Sequence, residues 1–113
     1  MKVLKLSDMT RGWFIGDFEP SILRTSGFEV GVLTHKKDED WGEHYHKIAT
    51  EYNVLLKGRM SINGTVLEEG DIFILEPYES ALPVFMEDCT VLCVKVPSVI
   101  GDKYPVNRLG RSL

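Results

Sequence analysis

The sequence predicts an all-β single domain built as a sandwich or closed barrel, with a jelly-roll β-barrel as a common solution. Three observations predict it. Short runs of β-branched and apolar residues recur through the middle of the chain, glycine and proline punctuate them at close spacing, and no long amphipathic helix is legible. The 113 residues suit one domain, and the strand-like runs place its core at about 28–97, between an irregular N-terminal arm (1–27) and an irregular C-terminal tail (98–113). An apolar fraction of 43% with 27% charged residues is the balance of a soluble globular protein able to bury one modest core.

Taken in order, GWFIGDFEPSILRTSG in the first third interleaves aromatics with glycine and proline, and reads as an extended cover with one helical turn after Glu19. FEVGVLTHK (Phe28 to Lys36) is a strand that ends in the solvated charge run KKDED. EHYHKIA is a short strand, and EYNVLLKG (Glu51 to Gly58) follows it. In RMSI-NG-TVLEEGD, Asn63-Gly64 separates two strand runs; both residues tolerate positive φ, which makes this the strongest local hairpin signal in the chain. DIFILEP and TVLCVKVP are apolar strands, each stopped by a proline.

Charge and composition exclude several classes. The formal charge is −4, with both signs interspersed, so no basic stripe exists to neutralise a phosphate backbone and nucleic acid is not expected as a partner. No apolar run approaches the roughly 20 residues of a membrane helix. MKVLKLSDMT lacks the apolar stretch and cleavage site of a signal peptide, so a cytoplasmic location is expected. A small domain that exposes much of its surface favours closure or pairing through a sheet, so a homodimer is expected. Cys89 and Cys93 are four residues apart on one strand, ~13 Å by the strand rise against a Cα limit of ~7 Å for a disulfide. They are expected as buried free thiols, with Cys93 as a soft metal ligand the alternative.

The chemistry concentrates in WGEHYHKIATEYNVLLKG (Trp41 to Gly58). Residues two apart on a strand face the same side, so His44 and His46 point inward together while Tyr45 and Lys47 point outward. A turn around Ile48 to Thr50 then returns the chain and brings Glu51 opposite the pair. Two imidazoles and a carboxylate suit a divalent first-row transition metal: zinc, iron, nickel and manganese all accept this set. The competing reading is polar side chains on an ordinary wet strand.

These residues resemble the first motif of the cupin superfamily: Gly, five residues, His-x-His, three or four residues, Glu, six residues, Gly. The chain supplies His44, His46, four residues, Glu51, six residues and Gly58, with Asp38 in place of the leading glycine. The second motif, Gly, five residues, Pro-x-Gly, two residues, His, three residues, Asn, is degenerate. Counted from Gly70, its proline falls on Glu76 with Pro77 beside it, its glycine on Tyr78, its histidine on Ala81 and its asparagine on Phe85.

The resemblance covers about Phe28 to Pro97. It implies a small barrel, often dimeric, with a metal inside, and either an enzyme acting on a small polar, carbohydrate-like molecule or a non-catalytic ligand-binding or regulatory protein lacking metal. A dimeric structural protein with a vestigial pocket is a third reading. Ala81 leaves a two-histidine, one-carboxylate set with open positions.

Weaker candidates share the cavity. Alternation puts Asn53 on the face of Glu51, where it orients a ligand or satisfies neighbouring backbone. Glu76 and Glu79 near the mouth are replacement ligands, a general base or solvated turn residues, and His35 is a spare ligand. Packing is the default for Trp13, Trp41, Tyr45 and Tyr52. No Walker sequence, G-x-S-x-G elbow or electropositive cysteine setting is present.

Overall fold

The structure is a computed structural model and describes residues 1–106; the end of the expected tail lies outside them. A 3-10 turn at Leu6–Asp8 is followed by β1 (Trp13–Gly16), β2 (Leu23–Arg24), β3 (Glu29–His35), β4 (His44–Tyr45), β5 (Thr50–Lys57) and β6 (Met60–Ile62). β7 (Thr65–Leu67), β8 (Ile72–Leu75), β9 (Pro83–Phe85), β10 (Cys89–Val96) and β11 (Tyr104–Pro105) complete the order.

One layer is a six-stranded sheet in the order β2-β1-β3-β10-β5-β8. Opposite it lie a three-stranded sheet, β7-β6-β9, and the pair β11-β4. Reciprocal bonds join the small sheets: His44 N–H donates to the Ala81 carbonyl at 3.1 Å and Ala81 N–H to the His44 carbonyl at 2.8 Å, so the approach to β9 borders β4. The Asn63-Gly64 hairpin forms where expected, with φ of 52° and 84° between β6 and β7. Asn63 does more than turn: its Oδ1 accepts from Leu82 N–H (2.9 Å) and its Nδ2 donates to the Ser80 carbonyl (2.9 Å), tying the hairpin to the approach to β9.

Four expectations are corrected. The sheets are not closed into a barrel by continuous hydrogen bonding. β8 stops two residues before Pro77, and β9 opens on Pro83, which has no N–H to give, so the ladder is interrupted between the layers. The N-terminal arm holds no helical turn after Glu19; its turn lies earlier, at Leu6–Asp8, and β1 and β2 extend the large sheet. Apolar Trp13 to Ile15 pair with β3, so tertiary pairing outweighs the glycine-rich composition. The tail also contributes a strand, β11, and EHYHKIA is ladder-bonded only over His44–Tyr45.

The core sits between the layers. Leu55, Met60, Phe85, Cys89 and Val91 form its buried cluster, with Trp41, Ile62, Leu67 and Phe73 packed against it. Period-two alternation produces this arrangement: on β10, Cys89, Val91 and Cys93 face in, while on β5 Asn53 and Leu55 face in and Tyr52 and Leu56 face out. Gly58 ends β5 at φ 93°, and a Cβ there would run into the Asp88 carbonyl and approach Cys89 Sγ at 2.8 Å, so this position demands glycine. Cys89 and Cys93 are free and buried.

Candidate metal centre

Two short elements place the ligand candidates. β4 is clamped between β11, through the Tyr104↔Tyr45 and Pro105↔His44 pairs, and Ala81 on its other side. Tyr45 turns outward and stacks on Tyr104 and Tyr78 at centroid distances of 5.4 and 6.1 Å, which leaves His44 and His46 on the inner side. The chain then reverses over Lys47–Ala49. Buried Asp102 fixes that reversal: its carboxylate accepts from Lys47 N–H (2.9 Å), Ile48 N–H (3.3 and 3.1 Å) and Ala49 N–H (2.9 Å). Glu51 enters on β5, opposite Leu75 on β8 and Lys95 on β10.

His44, His46 and Glu51 each offer one ligand atom, and these atoms lie within 4.8 Å of one another. The imidazoles meet edge to face, with centroids 5.4 Å apart and planes at 85°. His46 Nδ1 stands 3.6 Å from Glu51 Oε2. His44 Nδ1 and His46 Nε2 are buried without a hydrogen-bond partner, and so is Asn53 Nδ2. Orphaned buried nitrogens are uncommon because each forfeits its hydration, and each ring here carries one.

Electrostatics sets the protonation. Burial, aided by the Lys103 charge, lowers His44 from 6.5 to about 4, with Glu51 opposing. Burial first and Lys95 second lower His46 as well, while Glu51 and Asp102 oppose. Both rings are therefore neutral near pH 7, which is the metal-ligating form, and the His46–Glu51 contact is not an ion pair.

No protein family matches the sequence, and no curated protein does. Solved structures do match. A conserved double-stranded β-helix protein from Klebsiella pneumoniae superposes with a TM-score of 0.69 at 18% identity, over 95% of this chain and 93% of that one. KdgF from a Halomonas species gives 0.60 at 18%, over 66% of this chain and 74% of that one. The pirin YhhW from Escherichia coli, solved in complex with nickel(II), gives 0.62 at 17%, over 78% of this chain and 39% of that one. The chain has the cupin fold.

Within the cupin shell, a cavity of about 710 Å³ is walled in part by His44, Glu51, Asn53, Phe73, Ala81, Phe85 and Cys93. Ala81 pairs directly with His44 and is 3% exposed, so its methyl group shares the inner side with that ring. Asn53 joins Glu51 in the cavity wall, as alternation requires. His35 also lines it but is engaged elsewhere: Nδ1 lies 2.7 Å from Glu39 Oε2, and the ring stacks on Phe85 (4.3 Å) and meets Trp41 edge-on (4.8 Å).

Glu76 and Glu79 are exposed turn residues and do not line the cavity. Glu76 Oε2 accepts from Thr50 Oγ1 and Glu79 Oε1 from Glu76 N–H, so neither replaces a ligand. Cys93 lies in the wall, and burial with Glu51 nearby raises its thiol above the ordinary value, against a free thiolate ligand. Trp13 and Trp41 line the cavity, beyond the packing role expected of them, whereas Tyr52 is exposed on the outer face.

Sequence reasoning missed four residues. Asp102 caps the turn between the ligand candidates; Arg11, Lys95 and Lys103 line the cavity. None carries a local signal, since Asp102 acts 53–55 positions away in the chain.

Proposed function

We propose that this protein is a metal-binding cupin in which His44, His46 and Glu51 hold one divalent transition ion, zinc, iron, nickel or manganese, beside a cavity for a small polar molecule. One observation carries the reading: three ligand-type atoms lie within 4.8 Å of one another, and both imidazoles present a buried, unpartnered nitrogen. The nickel(II) bound by the similar pirin YhhW supports the same choice of chemistry. When bound, such an ion acts as a Lewis acid with open positions for water or ligand. The chain's own residues supply the rest: neutral imidazoles, a cavity of about 710 Å³ and Asn53 beside Glu51.

The second reading, a non-catalytic small-ligand binder without metal, is favoured by Ala81, where the cupin pattern has its fourth ligand. A homodimer belongs to the proposal too; what supports it is the apolar outer face at the β8 edge, where Ile72 and Ile74 are 72% and 48% exposed.

Metal analysis of protein purified without a histidine tag tests the first reading. Near-stoichiometric metal that is lost in His44→Ala and in His46→Ala is the expected result. Metal-free parent protein that takes up no added zinc, nickel, iron or manganese would overturn it, and retained binding of a small molecule by that protein would favour the second reading.

A further inference from the structure

Three cations converge on the cavity from separate parts of the chain: Arg11 before β1, Lys95 on β10 and Lys103 before β11. Lys103 Nζ sits 4.0 Å from the centroid of the Trp41 ring, and Lys95 Nζ sits 5.0 Å from that of Trp13. Among the described residues, none of the three makes an ion pair within 4.0 Å. The carboxylates nearby are committed elsewhere or flank Lys95. Glu29 and Glu51 stand opposite Lys95 on its two neighbouring strands, Glu51 belongs to the candidate metal set, and Glu39 engages His35.

Burial, Lys95 and Arg11 lower the Lys103 pKa, with Glu51 opposing, so these cations feel one another. In a chain of net charge −4, a cavity gathering them is a local reversal of sign.

The placement of Arg11 is enforced by the backbone. Arg11 and Gly12 have φ of 52° and 87°, in a turn closed by Trp13 N–H donating to the Thr10 carbonyl (3.0 Å). Val32 N–H donates to the Gly12 carbonyl at 3.0 Å, and a Cβ on Gly12 would collide with the Val32 carbonyl, so the turn is pressed onto β3. A left-handed arginine is unfavourable by itself and persists only where its surroundings fix it.

We propose that the cavity takes a small organic anion with an apolar body, its carboxylate received by Lys103 and Arg11 with Lys95 behind them, and its body lying against Trp13 and Trp41. This deepens the reading of the cavity as the ligand site and rests on it, but does not require the ion. Lysines stacked on indoles keep their N–H donors for a ligand, and an anion relieves the repulsion among the three charges. Aromatic walls favour an apolar body over a hydrated inorganic anion.

The test is isothermal titration of the full chain with benzoate and with benzamide, which share a shape and differ in charge, in metal-free and zinc-loaded protein. Benzoate is expected to bind about tenfold tighter than benzamide in both forms, the scale of one charge-assisted contact. Arg11→Gln with Lys103→Gln is expected to bring the two ligands within about twofold by weakening benzoate alone, while Lys103→Arg keeps the preference.

Equal affinities in the parent, a preference that survives in the double variant, sulfate displacing benzoate on equal terms, or benzoate binding only to zinc-loaded protein would each overturn the proposal. Loss of metal binding with the benzoate preference intact would sink the metal reading alone. Should the double variant unfold, Lys103→Gln by itself carries the same comparison.

Discussion

Asp102→Asn is the substitution whose consequence the structure defines most closely. Asp102 is 6% exposed, and its carboxylate accepts from three consecutive amides: Oδ1 serves Lys47 and Ile48, and Oδ2 serves Ile48 and Ala49. Asparagine keeps one oxygen and turns an NH₂ toward the other side. Either the Lys47 or the Ala49 N–H then loses its acceptor and faces a donor. A hydrogen bond to a charged group contributes about 1.5–3 kcal/mol, and an orphaned buried donor costs about 1–3 kcal/mol. Relief of the buried charge offsets part of that, which leaves a net destabilisation of roughly 2–3 kcal/mol. For a chain of this length, the melting temperature should fall by roughly 6–15 °C.

The pH dependence carries a sign. Burial alone would raise the Asp102 carboxyl, but the Ala49, Lys47 and Ile48 amides and the nearby His46 outweigh it and hold the carboxyl below its ordinary value. A group depressed in the folded state stabilises above its unfolded pKa, about 3.9 for aspartate, and loses that contribution as pH falls through the lower folded value. Parent and variant should therefore differ fully at pH 7 and converge below about pH 4.

The same turn spaces His46 from Glu51, so metal affinity should drop about tenfold, as it does when ligand-orienting groups are removed. Thermal melts at several pH values and competition with a chromophoric chelator read both effects. A variant as stable as the parent at pH 7 would refute the capping argument. A lowered melting temperature with unchanged metal affinity would refute the claim that the turn sets the ligand geometry.

Two further outcomes follow from the site. Because His44 is lowered to about 4 in the fold, the unfolded chain binds its proton first as pH drops, so metal-free protein should lose stability from about pH 6.5 down to about 4, and His44→Gln should flatten the melting-temperature profile over that window. Ala81→His should restore a ligand on the same side as His44 and tighten zinc about tenfold or more by the same chelator competition; an unchanged affinity would place the Ala81 side chain away from the ion.

The strands were legible where a single period decided them. Alternation along TVLCVKV and EYNVLLK, the Asn63-Gly64 turn and the prolines after DIFILE and TVLCVKV follow from local rules, and those elements stand where the residues put them. The spacing of His44, His46 and Glu51 pointed to their convergence, but β4 and β5 lie in different sheets, and the meeting is made across the layers by the Lys47–Ala49 reversal that Asp102 holds. Elements whose conformation is decided at long range were not. Trp13–Gly16 becomes a sheet strand by pairing with β3 against its glycine-rich composition, and Tyr104–Pro105 becomes one only beside β4. Asp102 is one residue of an irregular tail until folding brings it to amides more than 50 positions away.

On the proposed reading, the arms supply what a three-ligand centre lacks where Ala81 stands in place of the histidine of the cupin pattern. The small methyl of Ala81, paired across from His44, leaves room beside that ring that an imidazole would fill. Two cations that line the same cavity come from outside the motif-bearing strands: Arg11 from the N-terminal arm and Lys103 from the tail, the latter laid over Trp41. Charge that a fourth neutral ligand could not supply is thus delivered to the cavity by segments the motif does not cover. The Thr10–Trp13 turn and the Gly12–Val32 bond hold Arg11 left-handed against β3, and Trp41 holds Lys103, so both cations are fixed at the cavity by the fold itself. The repulsion that lowers the Lys103 pKa is what the anion proposed above would offset, so the benzoate comparison tests this arrangement directly.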